Sequence, residues 1–113
     1  MDFFLTKIIQ ADWPFFKELY MNSDVMRFIS DLMPEDKIKD SFDSRLPAWN
    51  IASHHWLCFV ICNANDNAPM GLTGIKMVSD GGRRIAEVGY IISPKYAGKS
   101  LATKSLTKLI SLR

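Results

Sequence analysis

The sequence predicts an α+β domain built on a mainly antiparallel sheet. Three apolar segments in the second half of the chain follow one another through short turn-forming stretches, which is typical of antiparallel neighbours. Segments with the apolar spacing of helices lie before and after them. The predicted order is β-α-α-α-β-β-β-α, which excludes a doubly wound parallel sheet. With 113 residues, the chain is expected to form one domain, residues 1–113.

The first half of the chain predicts one strand and three helices. The strand spans residues 3–9, which are rich in Phe and Ile. The first helix begins at Asp12 or Trp13, and Pro14 suits its first turn. The residues Asn22-Ser23-Asp24 can cap a second helix, and a proline at 34 begins a third. The apolar positions of these helices are Phe16, Leu19 and Tyr20, then Val25, Phe28, Ile29 and Leu32, then Ile38, Phe42, Leu46 and Trp49.

The second half of the chain predicts three strands and a final helix. The first of these strands, residues 56–62, is apolar without interruption, so we expect burial on both of its faces. Turn-forming residues separate it from strands at 70–78 and 85–92. The final helix is predicted at 100–112. Its apolar face consists of Ala102, Leu106, Leu109 and Ile110.

Composition narrows the class of protein. The net charge of +2, from 14 basic and 12 acidic residues, does not indicate a nucleic-acid partner. No apolar run reaches the ~18–20 residues of a membrane helix, and the first residues lack the basic segment of a signal peptide. Cys58 and Cys62 lie ~13 Å apart on one strand, too far for a disulfide. No Cys/His cluster completes a metal site, so we expect a cytoplasmic protein with reduced thiols and no metal.

The junction between the last strand and the final helix carries the chemistry. A short loop containing Gly98 leads directly into the helix, whose first backbone N–H groups lack partners within the helix. Such a turn can bind a phosphate-like anion, because glycine permits close approach and Lys95 and Lys99 add positive charge. A strand-to-helix turn that binds nothing is an equally good interpretation of this local pattern.

A nucleotide-hydrolysing loop does not fit this junction. Gly98-Lys99-Ser100 matches the end of a Walker A motif, but Ser93 occupies the position of its first glycine. The strands before it form a meander rather than a parallel sheet, and thirteen residues after Ser100 leave no room for another parallel strand. We therefore set this alternative aside.

Residues 86–106 resemble the acyl-CoA-binding motif of the GCN5-related N-acetyltransferases (GNAT), in the branch that modifies protein N-termini, including those of ribosomal proteins, and small amines. The strand reads Ala86-Glu87-Val88-Gly89-Tyr90, similar to the family's A-E-x-G-Y. The loop Lys95-Tyr96-Ala97-Gly98-Lys99-Ser100 stands where the family has Q/R-x-x-G-x-G/A, and 102–106 resembles its A-T-E-A-L helix. Three positions depart from the pattern: Lys95, Ser100 and Lys104.

The resemblance implies an acetyl-CoA-dependent N-acetyltransferase. It places the CoA pyrophosphate on the amides of residues 97–102 and the pantetheine arm along the end of the last strand, where an N–H near Ile91 would polarise the thioester carbonyl. Glu87 is the candidate catalytic base or amine-binding group, with an exposed strand carboxylate as the alternative. The residues expected to bind the acyl donor are Ile91, Ile92, Ser93, Lys95, Ala97, Gly98, Lys99, Ser100, Leu101 and Ala102.

The resemblance also implies a partial domain that lacks the family's C-terminal strands. A strand at 85–92 without its expected neighbour presents an open edge, so we expect a homo-oligomer formed through it. Tyr90 and Tyr96 are candidates for lining the site, with core packing as the alternative. Two functions stay open: a shortened, weakly active N-acetyltransferase, or a non-catalytic, self-associating remnant of the fold that still binds CoA.

Overall fold

The sheet has the predicted antiparallel architecture. The computed structural model of the chain describes residues 2–26, 33–96 and 100–111. Within them, four strands form one sheet in the order β1-β2-β3-β4, and every neighbouring pair is antiparallel. The strands are β1 (Phe3–Lys7), β2 (Leu57–Asn63), β3 (Pro69–Asp80) and β4 (Arg83–Ile92). The predicted α+β fold class is confirmed.

The helices follow the predicted order. They are α1 (Trp13–Tyr20), α2 (Ser23–Met26), α3 (Glu35–Asp43) and α4 (Leu101–Ser111). Asn22 caps α2, because its side-chain oxygen accepts the backbone N–H groups of Asp24 at 2.9 Å and Val25 at 3.2 Å. Phe28, Ile29 and Leu32 of the predicted second helix lie outside the described residues. None of the helices described here is long and apolar enough to cross a bilayer.

The sheet is covered on both faces, and the core lies in two layers. On one face, Cys58, Val60 and Leu72 pack against α1 and α3. On the other face, α4 covers the sheet through Leu101, which packs with Ile61, and through Leu109, which packs with Ile75 and Met77. β2 therefore contributes buried side chains to both layers, as its uninterrupted apolar sequence predicted.

A cluster of aromatic rings joins α1 to α3. The Phe16 ring stacks on Tyr20 with 4.3 Å between centroids and meets the edge of Phe42 at 5.2 Å. Trp13 lies 5.4 Å from Phe42 on the outer side. Aromatic pairs at these separations add to the stabilisation from burial alone. The cluster joins Trp13 and Phe16 of α1 to Phe42 near the end of α3, in the core layer that includes β2.

The third helix is shorter than predicted. It ends at Asp43, so Leu46 and Trp49 do not continue its apolar face. Leu46 packs on the α1 and α3 side of the sheet, whereas Trp49 packs on the opposite side and donates its indole N–H to the carbonyl of His55 at 2.9 Å. The physical reason is Pro47, which has no N–H and disfavours helical backbone in the residue before it.

The buried face of α4 also differs from the prediction. Leu101, Ser105 and Leu109 face the sheet, while the predicted core residue Ile110 is 50% exposed. Ser105 is tolerated there because its hydroxyl donates to the carbonyl of Ala102 at 2.8 Å, which satisfies the buried polar group. An apolar pattern does not reveal a face that contains a serine bonded in this way.

Glycines shape the connection and the contact between β3 and its neighbours. Gly81 and Gly82 form a two-residue hairpin loop with φ of +59° and +87°, as a type I′ turn requires. Within β3, a Cβ on Gly71 would lie 2.6 Å from the carbonyl oxygen of Ile91 on β4, and one on Gly74 would lie 2.6 Å from that of Leu57 on β2. β3 can therefore pair this closely with β4 at residue 71 and with β2 at residue 74 only because both residues lack a Cβ.

The close approach at Gly74 can be tested against its cross-strand partner, Gly89. We expect Gly74→Ala to lower the free energy of unfolding by about 2 kcal/mol, because the new methyl group meets backbone. Gly89→Ala is the matched control, since its Cβ would lie an ordinary 3.4 Å from the Trp56 ring. Urea unfolding of both variants measures the difference. Equal losses would contradict the assignment of Gly74 as a steric requirement.

Candidate functional site

The pairing of β4 decides which of its backbone groups a ligand can reach. Within the described residues β4 pairs with β3 alone, which makes it an edge strand. The N–H of Ser93 donates to the carbonyl of Met70 on β3 at 2.9 Å. Hydrogen bonds alternate along an antiparallel strand, so the main chain of Ile91 also faces β3, while that of Tyr90 and Ile92 faces the open edge. The amides near Ile91 that an extended ligand can meet are therefore those of Tyr90 and Ile92.

The turn that follows β4 is described at its two ends. Pro94–Tyr96 form a single 3₁₀ turn, and α4 begins immediately after Ser100. Ser100 adopts a left-handed backbone with φ of +58°, and its carbonyl accepts the N–H of Lys104 at 3.1 Å. A residue with a Cβ pays for this conformation, so glycine suits the position, as in the motif that the sequence resembles. The predicted pyrophosphate-binding residues Ala97, Gly98 and Lys99 lie outside the described residues.

The other predicted residues of this turn divide between surface and core. Lys95 is exposed, with its ammonium nitrogen 5.9 Å from the centroid of the Tyr96 ring. Leu101 is buried and Ala102 is half-buried at the start of α4. Tyr96 packs in the core with Leu101, whereas Tyr90 is 52% exposed. Of the two tyrosines, Tyr90 alone belongs to the lining of the cavity described next.

A cavity of about 240 Å³ opens on the face of β4 that looks toward α1 and α3. Its floor contains the cross-strand pair Gly74 and Gly89, over which the Trp56 ring lies. Side chains alternate along a strand, so Glu87 and Ile91 flank Gly89 on this same face. The structure thus places the sequence-predicted Glu87 in the lining of an open cavity, where its side chain is also exposed to solvent.

Arg45 is the main functional candidate that sequence reasoning missed. Its guanidinium donates to the carbonyl and the hydroxyl of Ser41 at 2.7 and 2.6 Å, and to the hydroxyl of Tyr20 at 3.4 Å. It lies 5.3 Å from the Phe16 ring and 6.0 Å from the Trp56 ring, within the range of cation–π attraction. From the sequence alone, an arginine just after a helix is expected to be a solvated surface charge. Only the tertiary fold brings Arg45 to the cavity.

Two polar side chains close to the Arg45 guanidinium, Tyr20 and Cys58, are neutral at physiological pH. Burial raises the pKa of the Cys58 thiol to about 11 and also raises the pKa of the Tyr20 hydroxyl, although the nearby Arg45 charge opposes both shifts. The ion pairs found among the described residues, Lys17–Glu35 and Lys39–Asp43, do not include Arg45. The cavity therefore holds a positive guanidinium and, on β4, the acidic side chain of Glu87.

The arrangement offers the elements of a proton transfer next to an extended binding edge. Glu87 can accept a proton or hold a cation in the cavity, and the outward N–H groups of Tyr90 and Ile92 can bind a carbonyl oxygen. Apolar walls from Trp56 and Leu72 exclude water from part of the space. Over the described ranges, no three His, Cys, Asp or Glu side chains converge as a metal site.

Comparison with known proteins identifies a matching family and similar folds. The profile of a family described as "Acetyltransferase (GNAT) domain" matches residues 2–112. No curated protein matches the chain. Similar solved structures include a domain from Methanocaldococcus jannaschii (TM-score 0.75, 13% identity), an acetyltransferase of the GNAT family from Bacillus anthracis (0.67, 20%) and a GCN5-related N-acetyltransferase from Kribbella flavida (0.72, 13%). They align with 98%, 94% and 96% of this chain, which spans 69%, 58% and 63% of theirs.

The buried thiol of the cavity gives a pH dependence that can be measured. The pKa of Cys58 rises from an ordinary 9.0 to about 11 on folding, so the folded chain keeps this proton longer than the unfolded chain does. The stabilisation is complete below pH 9 and is lost as the pH rises to about 11. We expect the free energy of unfolding of the wild type to fall over this interval by on the order of 2 kcal/mol more than that of Cys58→Ala. Denaturant unfolding at several pH values measures both slopes, and equal slopes would contradict the prediction.

Proposed function

Since the chain belongs to the GNAT acetyltransferase domain family, we propose that it is an acetyl-CoA-dependent N-acetyltransferase acting on an amine, either a protein N-terminus, such as that of a ribosomal protein, or a small amine. The observation that carries the proposal is the position of Glu87 in the lining of a cavity on β4, a few residues before the outward-facing main chain of Tyr90 and Ile92. The free, buried state of both cysteines favours a cytoplasmic location.

The end of β4 fits an extended acyl donor. The outward N–H and C=O groups of Tyr90 and Ile92 can pair with the amides of a pantetheine arm as a neighbouring strand would. Ser93 ends this edge, and the loop after it, with Lys95 and the amides of residues 97–102, would hold the pyrophosphate. Acetyl-CoA supplies the electrophilic thioester carbonyl when it is bound, and the protein supplies the position and the donors.

On the other side of β4, the cavity would hold the acceptor. An unprotonated amine forms a C–N bond to the thioester carbonyl carbon, the C–S bond breaks, and the thiolate takes a proton from solvent. Glu87 accepts the proton that the amine loses, either before or during attack. The N–H groups of Tyr90 or Ile92 stabilise the negative charge on the carbonyl oxygen. Most of the rate acceleration is expected from holding the amine and the thioester next to each other beside one strand.

Binding of the acyl donor is the first test. We expect acetyl-CoA to give a saturable heat of binding in calorimetry, and we expect Gly98→Asp to abolish it, because the substitution adds bulk and negative charge where the pyrophosphate is proposed to bind. Gly81→Asp is the matched control, since it adds the same side chain in the hairpin loop, where aspartate tolerates the backbone conformation. Unchanged affinity in Gly98→Asp would show that the pyrophosphate site is assigned wrongly.

The role of Glu87 is tested separately by the rate of transfer. We expect Glu87→Gln to lower acetyl transfer to an amine by about 10²–10⁴-fold, because the amide cannot accept the proton. Affinity for acetyl-CoA should stay the same, since the side chain points away from the outward main-chain edge. Glu18→Gln on the exposed surface of α1 is the control. Mass spectrometry of the acetylated amine gives the rate, and wild-type transfer by Glu87→Gln would reject the assigned role.

A second candidate is supported by the surface of β4. Ile85, Val88 and Tyr90 are 41%, 44% and 52% exposed on an edge strand, an arrangement that favours pairing with another copy of the chain. According to this second candidate function, the domain is a non-catalytic, self-associating form of the fold that still binds CoA. Light scattering in dilute solution distinguishes the candidates: a dimer without transfer supports the second, and an active monomer at micromolar concentration rejects it.

A further inference from the structure

We propose that the cavity beside β4 takes a zwitterionic amine, with the ammonium or amine end at Glu87 and a carboxylate at Arg45; a free amino acid with an apolar side chain has this chemistry. The proposal rests on the proposed function, since Glu87 is there the group that faces the amine. It favours a small acceptor over the N-terminus of a protein.

The charges of the cavity lining are the first argument. Arg45 and Glu87 both line the cavity, yet they do not form an ion pair within 4.0 Å. The other polar side chains next to the guanidinium, Tyr20 and Cys58, are protonated at neutral pH, and no carboxylate of the described residues forms an ion pair with Arg45. A ligand carboxylate would complete this part of the lining, because arginine presents a planar set of donors that suits a carboxylate.

The fixed orientation of Arg45 is the second argument. One terminal nitrogen of the guanidinium is bonded to Ser41 at two points, and the group lies between the rings of Phe16 and Trp56. Lys7 on β1 donates to the backbone carbonyl of Arg45 at 2.9 Å. A side chain held in this way loses little conformational entropy when an anion binds, which is the arrangement expected of a binding group rather than a solvated charge.

The size and walls of the cavity are the third argument. A volume of about 240 Å³ is small for a ligand site and suits a single compact molecule. The lining also contains the apolar residues Trp56, Leu72 and Ile91, so the side chain of the ligand is expected to be apolar. A polyamine fits less well, because its second cation would meet the guanidinium instead of an acid.

The test compares three probes that differ in one charged group: phenylalanine, phenethylamine, which lacks the carboxylate, and 3-phenylpropanoate, which lacks the amine. The indole N–H signal of Trp56 in NMR spectra of the full chain reports on the cavity and is assigned with Trp56→Phe. We expect phenylalanine to shift this signal with an affinity at least about tenfold higher than that of either partial probe.

Variants of Arg45 are compared with a variant of a second arginine that does not line the cavity. Arg45→Gln should lower the affinity for phenylalanine about tenfold and leave that for phenethylamine unchanged, whereas Arg45→Lys should retain part of the preference. Arg84→Gln, which removes an exposed β4 arginine bonded to the carbonyls of Ile51 and Ser53, should change neither. The same spectra show whether each variant is folded.

Three results would overturn the proposal: no shift of the Trp56 signal with any probe, equal affinity for phenylalanine and phenethylamine, or a preference that survives in Arg45→Gln. The proposed function fails by a different measurement, the absence of acetyl-CoA binding in calorimetry. That measurement concerns the edge of β4 and the loop after it, so the two failures are distinguishable.

Discussion

The close backbone contacts of β3 with its neighbours β2 and β4 are the constraint on which the site depends. At Gly71 and Gly74 a side chain would meet a carbonyl oxygen of a neighbouring strand at 2.6 Å, so the sheet can be this tight only where the Cβ is missing. Gly89 lies opposite Gly74, and together the two leave a bare strip of backbone across both strands. That strip is the floor of the cavity, and Trp56 covers part of it.

The helical layer supplies the positively charged group of the cavity, Arg45. Aromatic rings hold α1 against the C-terminal part of α3, and the Arg45 guanidinium lies 5.3 Å from one of them, that of Phe16, while it is bonded to Ser41 and Tyr20. Arg45 is half-buried, and hydrogen bonds and aromatic faces replace part of the water around its charge. The same contacts that stabilise the packing of the helices therefore fix a charge at the cavity.

Most of the fold could be predicted from the sequence because its signals are local. Alternating and continuous apolar runs with turn residues between them determine strand order in a meander, and the Gly81-Gly82 loop is visible in the letters. Where prediction failed, an apolar pattern did not show the cause: the hydroxyl of Ser105 bonds within α4 and allows its burial, and Trp49 crosses to the opposite layer after the helix ends. Of the cavity lining, Glu87 could be predicted, because it lies in a motif that is recognisable in the sequence.

Arg45 could not be found in the same way, since it meets Tyr20 across 25 residues and no local pattern relates them. The register of β4 explains why the motif around Glu87 nevertheless identifies the site. Glu87 and Ile91 direct their side chains to the cavity on either side of Gly89, and these residues direct their main chain to β3. Tyr90 and Ile92 present their main chain to the open edge.

One strand can thus serve two ligands, one through its side chains and one through its backbone. A slip of one residue would move Glu87 to the α4 face and exchange the two sets of backbone groups. The two-residue loop at Gly81 and Gly82 opposes such a slip, because its turn type fixes which residues of β3 and β4 face each other. The geometry of the candidate site is therefore determined at the far end of the hairpin from the turn that follows β4.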